Sequence, residues 1–459
     1  MKYFFGKLSA LIFCVTLLSA ARGAETINTL TWDKGQNSVT VDINTWTLQQ
    51  LLQQVSAKTG WRVYLEPGVT RPISARFKNL LPGDALRSMI GDLNFALVPG
   101  TNDVMQLYVF KTGQEKATQF VSPVGSEGRR KDIKHVPNEL IVTLKPGEKI
   151  EDLARLLGAK VLGKIDGVNA YRLQFPDEAT AESALITLGS SPSVAGIDYN
   201  YIVDAPPKPQ ALSASTVPPV QLKLAPPAGN GQVTVGLVDT AVQSMGADLD
   251  KFITKSISVA GDATPDPNSP AHGTSMAEAI LRAASSVSGG QSSMNIVSVD
   301  VYGPNPTTTM FNVASGIVTA ANNGANIINL SLGSEGDSEY LHSVIQQVTQ
   351  SGITVYAAAG NNGSSVPFYP AAYPEVTAVA AGTQGKLASY SNYGSYVDLV
   401  APGTTVVYLG NNGWVVSGTS TSSALISGMT AGVATSHNES VGAASQAVKT
   451  SPTLIYTGK

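Results

Sequence analysis

The stretch Val233-Thr234-Val235-Gly236-Leu237-Val238-Asp239 places six uncharged residues before a single carboxylate. Its apolar side chains do not alternate regularly with polar ones, so the pattern predicts a strand buried on both faces. Short apolar runs of this kind recur between residues 231 and 459, with helical patterns between them. Such alternation predicts a parallel α/β sheet.

Polar residues follow three of the predicted strands in this part of the chain. Asp239 ends the first, Ser331 follows residues 325–330, and Asn361 comes shortly after residues 353–358. In an open parallel sheet, ligands bind outside the carboxyl ends of the strands. We therefore expect these three residues to line one crevice.

Two predicted helices begin with residues that can carry chemistry. His272 lies in Ala-His-Gly-Thr-Ser-Met-Ala (residues 271–277), and Ser420 lies in Ser-Gly-Thr-Ser-Thr-Ser (residues 417–422). A serine at a helix N-terminus has free N–H groups and the positive dipole end nearby. That position favours negative charge developing on a bound group.

The residue types at these positions match the needs of nucleophilic catalysis. A serine hydroxyl needs a base to become an effective nucleophile, and His272 can supply it. Asp239 can hold the imidazole tautomer, while the Asn361 side chain and the Ser420 N–H can donate to an oxyanion. Each residue alone would be an ordinary turn or cap residue. Together they predict a hydrolytic site.

Five motifs resemble the subtilisin-like serine protease (subtilase) family. In chain order they are Val-Gly-Leu-Val-Asp-Thr, His-Gly-Thr-Ser-Met-Ala, Ser-Leu-Gly, Ala-Ala-Gly-Asn-Asn-Gly and Ser-Gly-Thr-Ser-Thr-Ser. The order Asp, His, Ser is that of subtilisin. The resemblance covers essentially all of residues 231–459 and implies a subtilisin-like parallel sheet flanked by helices. It also implies a serine endopeptidase with Asp239, His272 and Ser420 as the triad and Asn361 at the oxyanion.

The chain differs from the usual family pattern at several positions. Ala241 stands where glycine is common, Ser275 replaces a frequent second histidine, and Glu278 replaces a frequent glycine. Residues 421–424 are Thr-Ser-Ser-Ala where the family usually has Met-Ala-Ala-Pro. None of these changes removes a triad or oxyanion group, so we expect a divergent but active enzyme.

The resemblance also implies a pocket for the residue before the scissile bond. Its walls follow two strands and consist of Ser331, Leu332, Gly333, Ala358, Ala359 and Gly360. Its floor precedes the pair Tyr369-Pro370, and the position before that pair, often glycine, is Phe368. A phenyl ring there implies a shallow pocket that favours Ala or Ser over Phe or Leu. The alternative is that Phe368 packs into the core.

Residues 136–203 show strand and helix patterns in the order βαββαβ. This order, directly before a subtilase-like segment, resembles the inhibitory propeptide of that family, a ferredoxin-like domain that covers the protease. Residues 204–230 follow as a linker with seven prolines. Proline blocks cuts just before it, so we expect autocleavage between Gln210 and Val217, after Ala211 or Ala214.

The N-terminal part predicts export and a further small domain. Residues 1–24 have the basic start, apolar run and small-residue end of a signal peptide, with an uncleaved anchor as the alternative. Residues 25–111 show a small α+β pattern that resembles the short N-terminal domain of secretins and TonB-dependent receptors. That resemblance implies contact with an envelope protein partner. Residues 112–135 are polar and predict a linker.

Composition narrows the function further. The 459-residue chain is 43% hydrophobic with a net charge of -3, so it is not expected to bind nucleic acid. Its single cysteine, Cys14, lies in the signal, which leaves the mature chain without a disulfide or a thiol nucleophile. No later segment is long enough to span a membrane.

The function predicted from these patterns is that of an exported protease, periplasmic or extracellular, acting on protein or peptide substrates. We expect no required cofactor. Calcium is frequent in the family, but no loop defines its ligands, and no metal residue is assigned. The rival hypothesis is a catalytically silent protease fold that acts as a sensor or binding protein through its N-terminal domain.

Overall fold

The structure is a computed structural model that describes residues 28–99, 105–117, 119–121, 133–165, 167–189, 191–212, 233–290, 293–383 and 386–451. The predicted signal peptide and residues 213–230 of the second linker lie outside the described residues. The chain divides into two compact units, residues 1–97 with 107–124 and residues 98–106 with 125–459. Within the described residues, no helix is long and apolar enough to cross a membrane.

The N-terminal part contains two small sheets and two helices. The elements are β1 (Thr29–Asp33), β2 (Ser38–Thr47), α1 (Leu48–Thr59), β3 (Arg62–Leu65), β4 (Pro72–Leu80), α2 (Pro82–Ile90), β5 (Asn94–Pro99), β6 (Met105–Phe110) and β7 (Gln119–Phe120). The sheets have the orders β1-β2-β4 and β5-β6-β3-β7. Thr47 and Gln50 form a capping box that starts α1, and Gly60 ends it in the left-handed conformation that glycine tolerates.

The first linker is shorter than the sequence predicts. Strand β7 lies inside it and pairs with β3, and Val121 is buried. The Glu66 carboxylate accepts the Lys111 and Thr112 N–H groups at 2.7 and 2.9 Å, which turns the chain back towards β3. At the other end of the predicted linker, His135 begins a strand and its ring packs 4.4 Å from that of Tyr199.

The predicted βαββαβ order is confirmed between residues 135 and 204. The elements are β8 (His135–Leu144), α3 (Ile150–Leu157), β9 (Lys160–Ile165), β10 (Ala170–Gln174), α4 (Glu178–Gly189) and β11 (Val194–Asp204). Their strands form the order β11-β8-β10-β9, and all three strand pairs are antiparallel. Leu140, Ile141 and Val142 of β8 are buried in succession, so both faces of this sheet are covered.

The rest of the chain forms the predicted α/β domain. Its elements are β12 (Gln210–Ala211), β13 (Val233–Asp239), α5 (Ala247–Asp250), β14 (Ile253–Ser258), α6 (His272–Ser288), β15 (Met294–Asp300), β16 (Thr307–Thr309), α7 (Met310–Asn322), β17 (Ile327–Leu330), α8 (Glu339–Gln350), β18 (Thr354–Ala358), β19 (Thr377–Thr383), β20 (Lys386–Leu387), β21 (Leu399–Ala401), β22 (Thr404–Leu409), β23 (Asn412–Ser417), α9 (Thr419–His437) and α10 (Val441–Lys449). The central sheet has the order β14-β15-β13-β17-β18-β19-β20, with β21 also paired to β19.

Helices cover both faces of this sheet, as buried parallel strands require. Apolar side chains of α7 and α8 share one core cluster with the βαββαβ domain, while those of α6, α9 and α10 form a second. Strands β13, β15, β17 and β18 run parallel, so their carboxyl ends meet at one edge. The sequence-based prediction of a parallel sheet flanked by helices is confirmed.

The βαββαβ domain docks on the α/β domain through β11. This strand pairs antiparallel with β16, so the small sheet continues onto the larger domain. Asp198 of β11 accepts the Tyr340 N–H at 2.8 Å at the start of α8, and Asn200 accepts the Phe311 N–H at 3.2 Å at the start of α7. Both acceptors satisfy helix N–H groups that have no partner within the helix.

Glu278, which replaces a frequent glycine of the family, is 1% exposed and supports the hairpin of β22 and β23. Its Oε2 accepts the Tyr408 N–H at 2.6 Å, and its Oε1 pairs with Arg282. The Arg282 guanidinium lies 4.9 Å from the centre of the Tyr408 ring. Burial raises the pKa of Glu278, and the Arg282 charge opposes that rise.

We expect Glu278→Ala to lower the free energy of unfolding by ~3 kcal/mol, because it leaves a buried N–H and a half-buried guanidinium without their acceptor. Chemical denaturation in a Ser420→Ala background would measure the loss without proteolysis. Replacing both members of the pair by leucine should recover part of it. A loss below about 0.5 kcal/mol for Glu278→Ala would contradict this role.

Candidate active site

Asp239 and His272 meet at the carboxyl end of the central sheet. Asp239 is the last residue of β13 and is fully buried, and His272 is the first residue of α6 and 8% exposed. The imidazole Nδ1 lies 2.8 and 3.0 Å from the two carboxylate oxygens. A carboxylate can only accept here, so Nδ1 carries the proton and a neutral ring leaves Nε2 as the base.

The residues next to this pair explain how it is held. A Cβ on Gly273 would lie 2.1 Å from the Thr240 carbonyl oxygen, so only glycine allows α6 to approach the end of β13 this closely. The Thr240 hydroxyl accepts the Gly273 N–H at 2.8 Å. Asp239 and His272 are therefore positioned by the contact between the residues that follow them, Thr240 and Gly273.

Ser420 lies in the first turn of α9, where backbone N–H groups have no acceptor within the helix. Gly418 precedes it with φ 148°, a conformation that favours glycine. The Ser420 hydroxyl donates to the Ser331 carbonyl at 3.1 Å, and the Ser331 hydroxyl donates to the Ser420 carbonyl at 3.0 Å. In this structure the Ser420 hydroxyl is thus directed at Ser331, whereas the sequence predicts a hydrogen bond to His272.

Asn361 is oriented by Thr419. Its Oδ1 accepts the Thr419 N–H at 2.8 Å and lies 3.1 Å from the Thr419 hydroxyl. The backbone N–H can only donate, which fixes the oxygen at this position and turns Nδ2 away from it. The same hydroxyl accepts the Gly360 N–H at 3.1 Å, so Thr419 joins the asparagine loop to the start of α9.

A second polar network lies next to Ser420. Asn329 of β17 is fully buried; its Nδ2 donates to the Ser331 hydroxyl at 2.9 Å. Its Oδ1 accepts the Ser423 and Ser427 hydroxyls at 2.9 and 3.0 Å. Ser423, which stands where the family usually has alanine, therefore has a buried partner, and the buried Asn329 amide has its hydrogen bonds satisfied. The sequence analysis missed Asn329 and Thr419, although Thr419 lies inside the motif Ser-Gly-Thr-Ser-Thr-Ser (residues 417–422).

The structure places most of the predicted pocket residues around one cavity of about 440 Å³. Of the predicted residues, those lining it are Ser331, Leu332, Gly333, Ala358, Gly360, Asn361, Phe368 and Ser420. The Phe368 ring lies against Gly333 and Gly360, which form two walls of the cavity. A Cβ atom added to Gly333 would lie 2.6 Å from Phe368 Cε1, and one added to Gly360 would lie 3.0 Å from Phe368 Cγ.

Ala359 is the exception among the predicted pocket residues. It is fully buried in the core, and its carbonyl accepts the Tyr396 hydroxyl at 2.8 Å. Successive side chains of an extended segment point to opposite sides, so Ala359 faces away when its two neighbours line the cavity. Burial raises the pKa of Tyr396 to about 12, which keeps its hydroxyl protonated as a donor.

The end of the βαββαβ domain also lines this cavity. Ile202 and residues 204–207 face it together with Ile133 and Lys134, and the Lys134 ammonium lies 2.9 Å from an Asp204 carboxylate oxygen. The described residues contain no group of three or more His, Cys, Asp or Glu side chains placed to hold a metal ion.

Comparison with known proteins identifies the family. A model of the subtilase family matches residues 230–453, and a model of the fervidolysin N-terminal prodomain matches residues 122–200. A thermophilic serine proteinase of Bacillus sp. (strain AK1) is 31% identical over 315 residues, which are 65% of this chain and 78% of the relative. This chain belongs to the subtilase family. It is a subtilisin-like serine protease with a prodomain, which is the βαββαβ domain.

A further relative is similar in sequence, and two solved structures are similar in fold. Thermitase of Thermoactinomyces vulgaris is 37% identical over 177 residues, 38% of this chain and 63% of thermitase. Among solved structures, fervidolysin of Fervidobacterium pennivorans has a TM-score of 0.51 at 18% identity, covering 67% of this chain and 56% of fervidolysin. The epidermin leader peptide processing serine protease EpiP of Staphylococcus aureus, solved as a serine-to-alanine mutant, also gives 0.51, at 16% identity over 66% of this chain and 90% of EpiP.

Thr419 is predicted to position the oxyanion group. Thr419→Val should lower kcat roughly five- to tenfold with little change in KM, because it removes one hydrogen bond to Asn361 and one acceptor for Gly360. Thr419→Ser keeps the hydroxyl and is the matched control. Steady-state kinetics on a peptide anilide would decide, and equal kcat values for the two variants would contradict this role.

Proposed function

We propose that this subtilase is an exported endopeptidase that cleaves peptide bonds through an acyl-enzyme on Ser420. The observation that carries the proposal is the buried Asp239–His272 hydrogen bond at the end of β13, a strand of the same sheet whose loops bring Ser420 and Asn361 to one cavity. These four residues come from four different loops or element ends of the parallel sheet.

The proposed reaction begins when the Ser420 hydroxyl turns from the Ser331 carbonyl towards His272. The His272 Nε2 accepts the hydroxyl proton as the oxygen bonds to the substrate carbonyl carbon. The carbon–nitrogen bond then breaks, and the leaving nitrogen takes that proton from the imidazolium. Water repeats the sequence on the acyl-enzyme and releases Ser420. Asp239 stabilises the imidazolium throughout.

The tetrahedral oxyanion has two proposed donors. Asn361 Nδ2 is free to donate because Thr419 holds the amide oxygen. The Ser420 N–H belongs to the first turn of α9, where the helix dipole also favours negative charge. Donors fixed before the reaction stabilise the transition state without reorganisation.

We expect Ser420→Ala to abolish proteolysis while the protein stays folded, and Asn361→Ala to retain weak activity, reduced about 10²–10³-fold. Casein hydrolysis measures both. The exposed Ser436 of the same helix provides a control, since Ser436→Ala should keep full activity. A fluorophosphonate that leaves folded wild type unlabelled at Ser420 would support the rival silent scaffold instead.

We also propose that the enzyme prefers small residues before the scissile bond. Phe368 lies between Gly333 and Gly360, where the pocket of the family would otherwise be open. A large side chain would have to displace this ring, and overpacking of a close-packed site costs about 1–3 kcal/mol. That cost corresponds to about a tenfold preference or more.

Phe368→Gly should therefore shift preference from Ala towards Phe by about tenfold or more. The measurement compares kcat/KM for two peptide anilides that differ only in Ala or Phe before the scissile bond. Val366 lies in the same loop, is 37% exposed and does not line the cavity, so Val366→Gly is the matched control. A wild type that prefers Phe would reject the proposed pocket.

The prodomain supports synthesis as an inhibited zymogen. Its last strand pairs with β16, and the residues that follow lie in the cavity with Ser420. We further propose export to the periplasm or the cell exterior through the signal at residues 1–24. The α+β domain at residues 25–111 would then bind an envelope protein.

Maturation should remove the prodomain by a cut between Gln210 and Val217. Three prolines before this stretch, at 206, 207 and 209, disfavour earlier cuts. N-terminal sequencing of the mature enzyme is expected to begin between residues 211 and 217, and Ser420→Ala should accumulate uncut. A mature N-terminus before Asp204 would refute this expectation.

A further inference from the structure

The uncut chain runs through the active-site cavity after leaving the prodomain. On the side where it enters, Ile202, Val203 and Asp204 pair with Thr309, Thr308 and Thr307 of β16. The next residue continues the contact, because the Ala205 N–H donates to the Pro306 carbonyl at 3.1 Å. Ladder hydrogen bonds thus hold the backbone up to Ala205.

A second ladder holds the chain beyond the cavity. Gln210 and Ala211 form β12, which pairs antiparallel with Val415 and Trp414 of β23. The Leu212 N–H adds a bond to the Gly413 carbonyl at 2.9 Å. Because β23 ends at Ser417, this ladder lies just before the loop that carries Ser420.

Only residues 206–209 lie between the two paired segments. Five peptide bonds join Ala205 to Gln210, which reach at most about 17 Å when fully extended. Pro206 and Pro207 line the same cavity as Ser420 and Asn361. Residues 205–209 form no helix or turn, so the chain runs through the cavity of Ser420 as an open segment that is bound by strand pairing before and after it, as a peptide substrate would be bound.

Proline protects three of the five peptide bonds in this stretch from cleavage. The bonds before Pro206, Pro207 and Pro209 each have a proline nitrogen, which carries no hydrogen and whose ring crowds the position where His272 would protonate a leaving amine. Their fixed φ also limits how the carbonyl can be presented. The two remaining bonds, before Lys208 and Gln210, follow prolines and lie towards the second ladder.

We propose that residues 205–210 act as a substrate-like plug that the molecule's own Ser420 does not cut. The first maturation cut is then made by another protease molecule, on chain outside the plug. Moving Ala211 into the place of Pro206 or Pro207 beside Ser420 of the same molecule would require the chain to slide four or five residues and break both ladders. The proposal rests on the proposed catalytic role of Ser420.

The concentration dependence of processing tests the plug directly. Full-length precursor purified under inhibition should be processed at a rate per molecule that rises with its concentration. Mature wild type should cut Ser420→Ala precursor and leave an N-terminus beyond residue 210. A rate per molecule that stays constant over a hundredfold dilution, with an N-terminus between residues 206 and 211, would overturn the proposal.

Removing the prolines at the nucleophile provides a second test. Pro206→Ala with Pro207→Ala should convert processing to a concentration-independent reaction with a new N-terminus between residues 206 and 208. Lys208→Ala lies in the same stretch but leaves every proline in place, so it should behave as wild type. A double variant that keeps the wild-type rate law and cut site would also overturn the proposal.

Active-site labelling separates failure of the plug from failure of the catalytic assignment. Wild type is first freed of its prodomain by an added protease and then exposed to a fluorophosphonate. Labelling at Ser420 together with concentration-independent wild-type cutting refutes only the plug. Absence of labelling in folded, freed enzyme refutes the catalytic role on which the plug rests.

Discussion

The close approach of α6 to the end of β13 determines the geometry of the whole site. The absence of a side chain at Gly273 lets it lie against the Thr240 carbonyl, and the Thr240 hydroxyl completes the contact. Only at this separation can the His272 ring reach the Asp239 carboxylate. Because β13 is central in the sheet, the pair is held by a rigid, fully packed core rather than by mobile loops.

The remaining site residues are attached to this core through shared hydrogen bonds. Thr419 holds Asn361, and Ser331 exchanges hydrogen bonds with Ser420 while Asn329 supports Ser331. Apart from the exposed Asn361, these residues are buried, where an unsatisfied polar group is costly. The same contacts that satisfy the backbone and side chains therefore also place the groups proposed to act on the substrate.

The prodomain docks by strand addition, which is also the mode that we propose for a peptide substrate. An edge strand, β16, receives β11 by antiparallel pairing, and the chain continues along the cavity to β23. Strand addition depends on backbone groups and accepts many sequences, so inhibition and substrate binding can share one surface. What distinguishes the inhibitor is the proline content of residues 206–209 and its covalent attachment to the enzyme.

Sequence alone predicted the buried parallel sheet, the βαββαβ domain and the residues at the strand and helix ends. It could do so because apolar runs, glycines that end helices and short motifs are local patterns, which can be recognised from residues close together in the chain. It did not predict β4 in the N-terminal part, whose residues are mostly exposed and only weakly patterned. It also placed Ala359 in the pocket, although this side chain faces the core.

The identity of the candidate site, Asp239, His272, Asn361 and Ser420, was thus determined by the sequence itself, since each residue type and local motif can be found without coordinates. Only the tertiary structure decided the present direction of the Ser420 hydroxyl, the hold of Thr419 on Asn361 and the path of residues 205–210. These features depend on distances between groups up to about 200 residues apart. Such distances arise from packing of the complete sheet and its helices, which local sequence patterns do not specify.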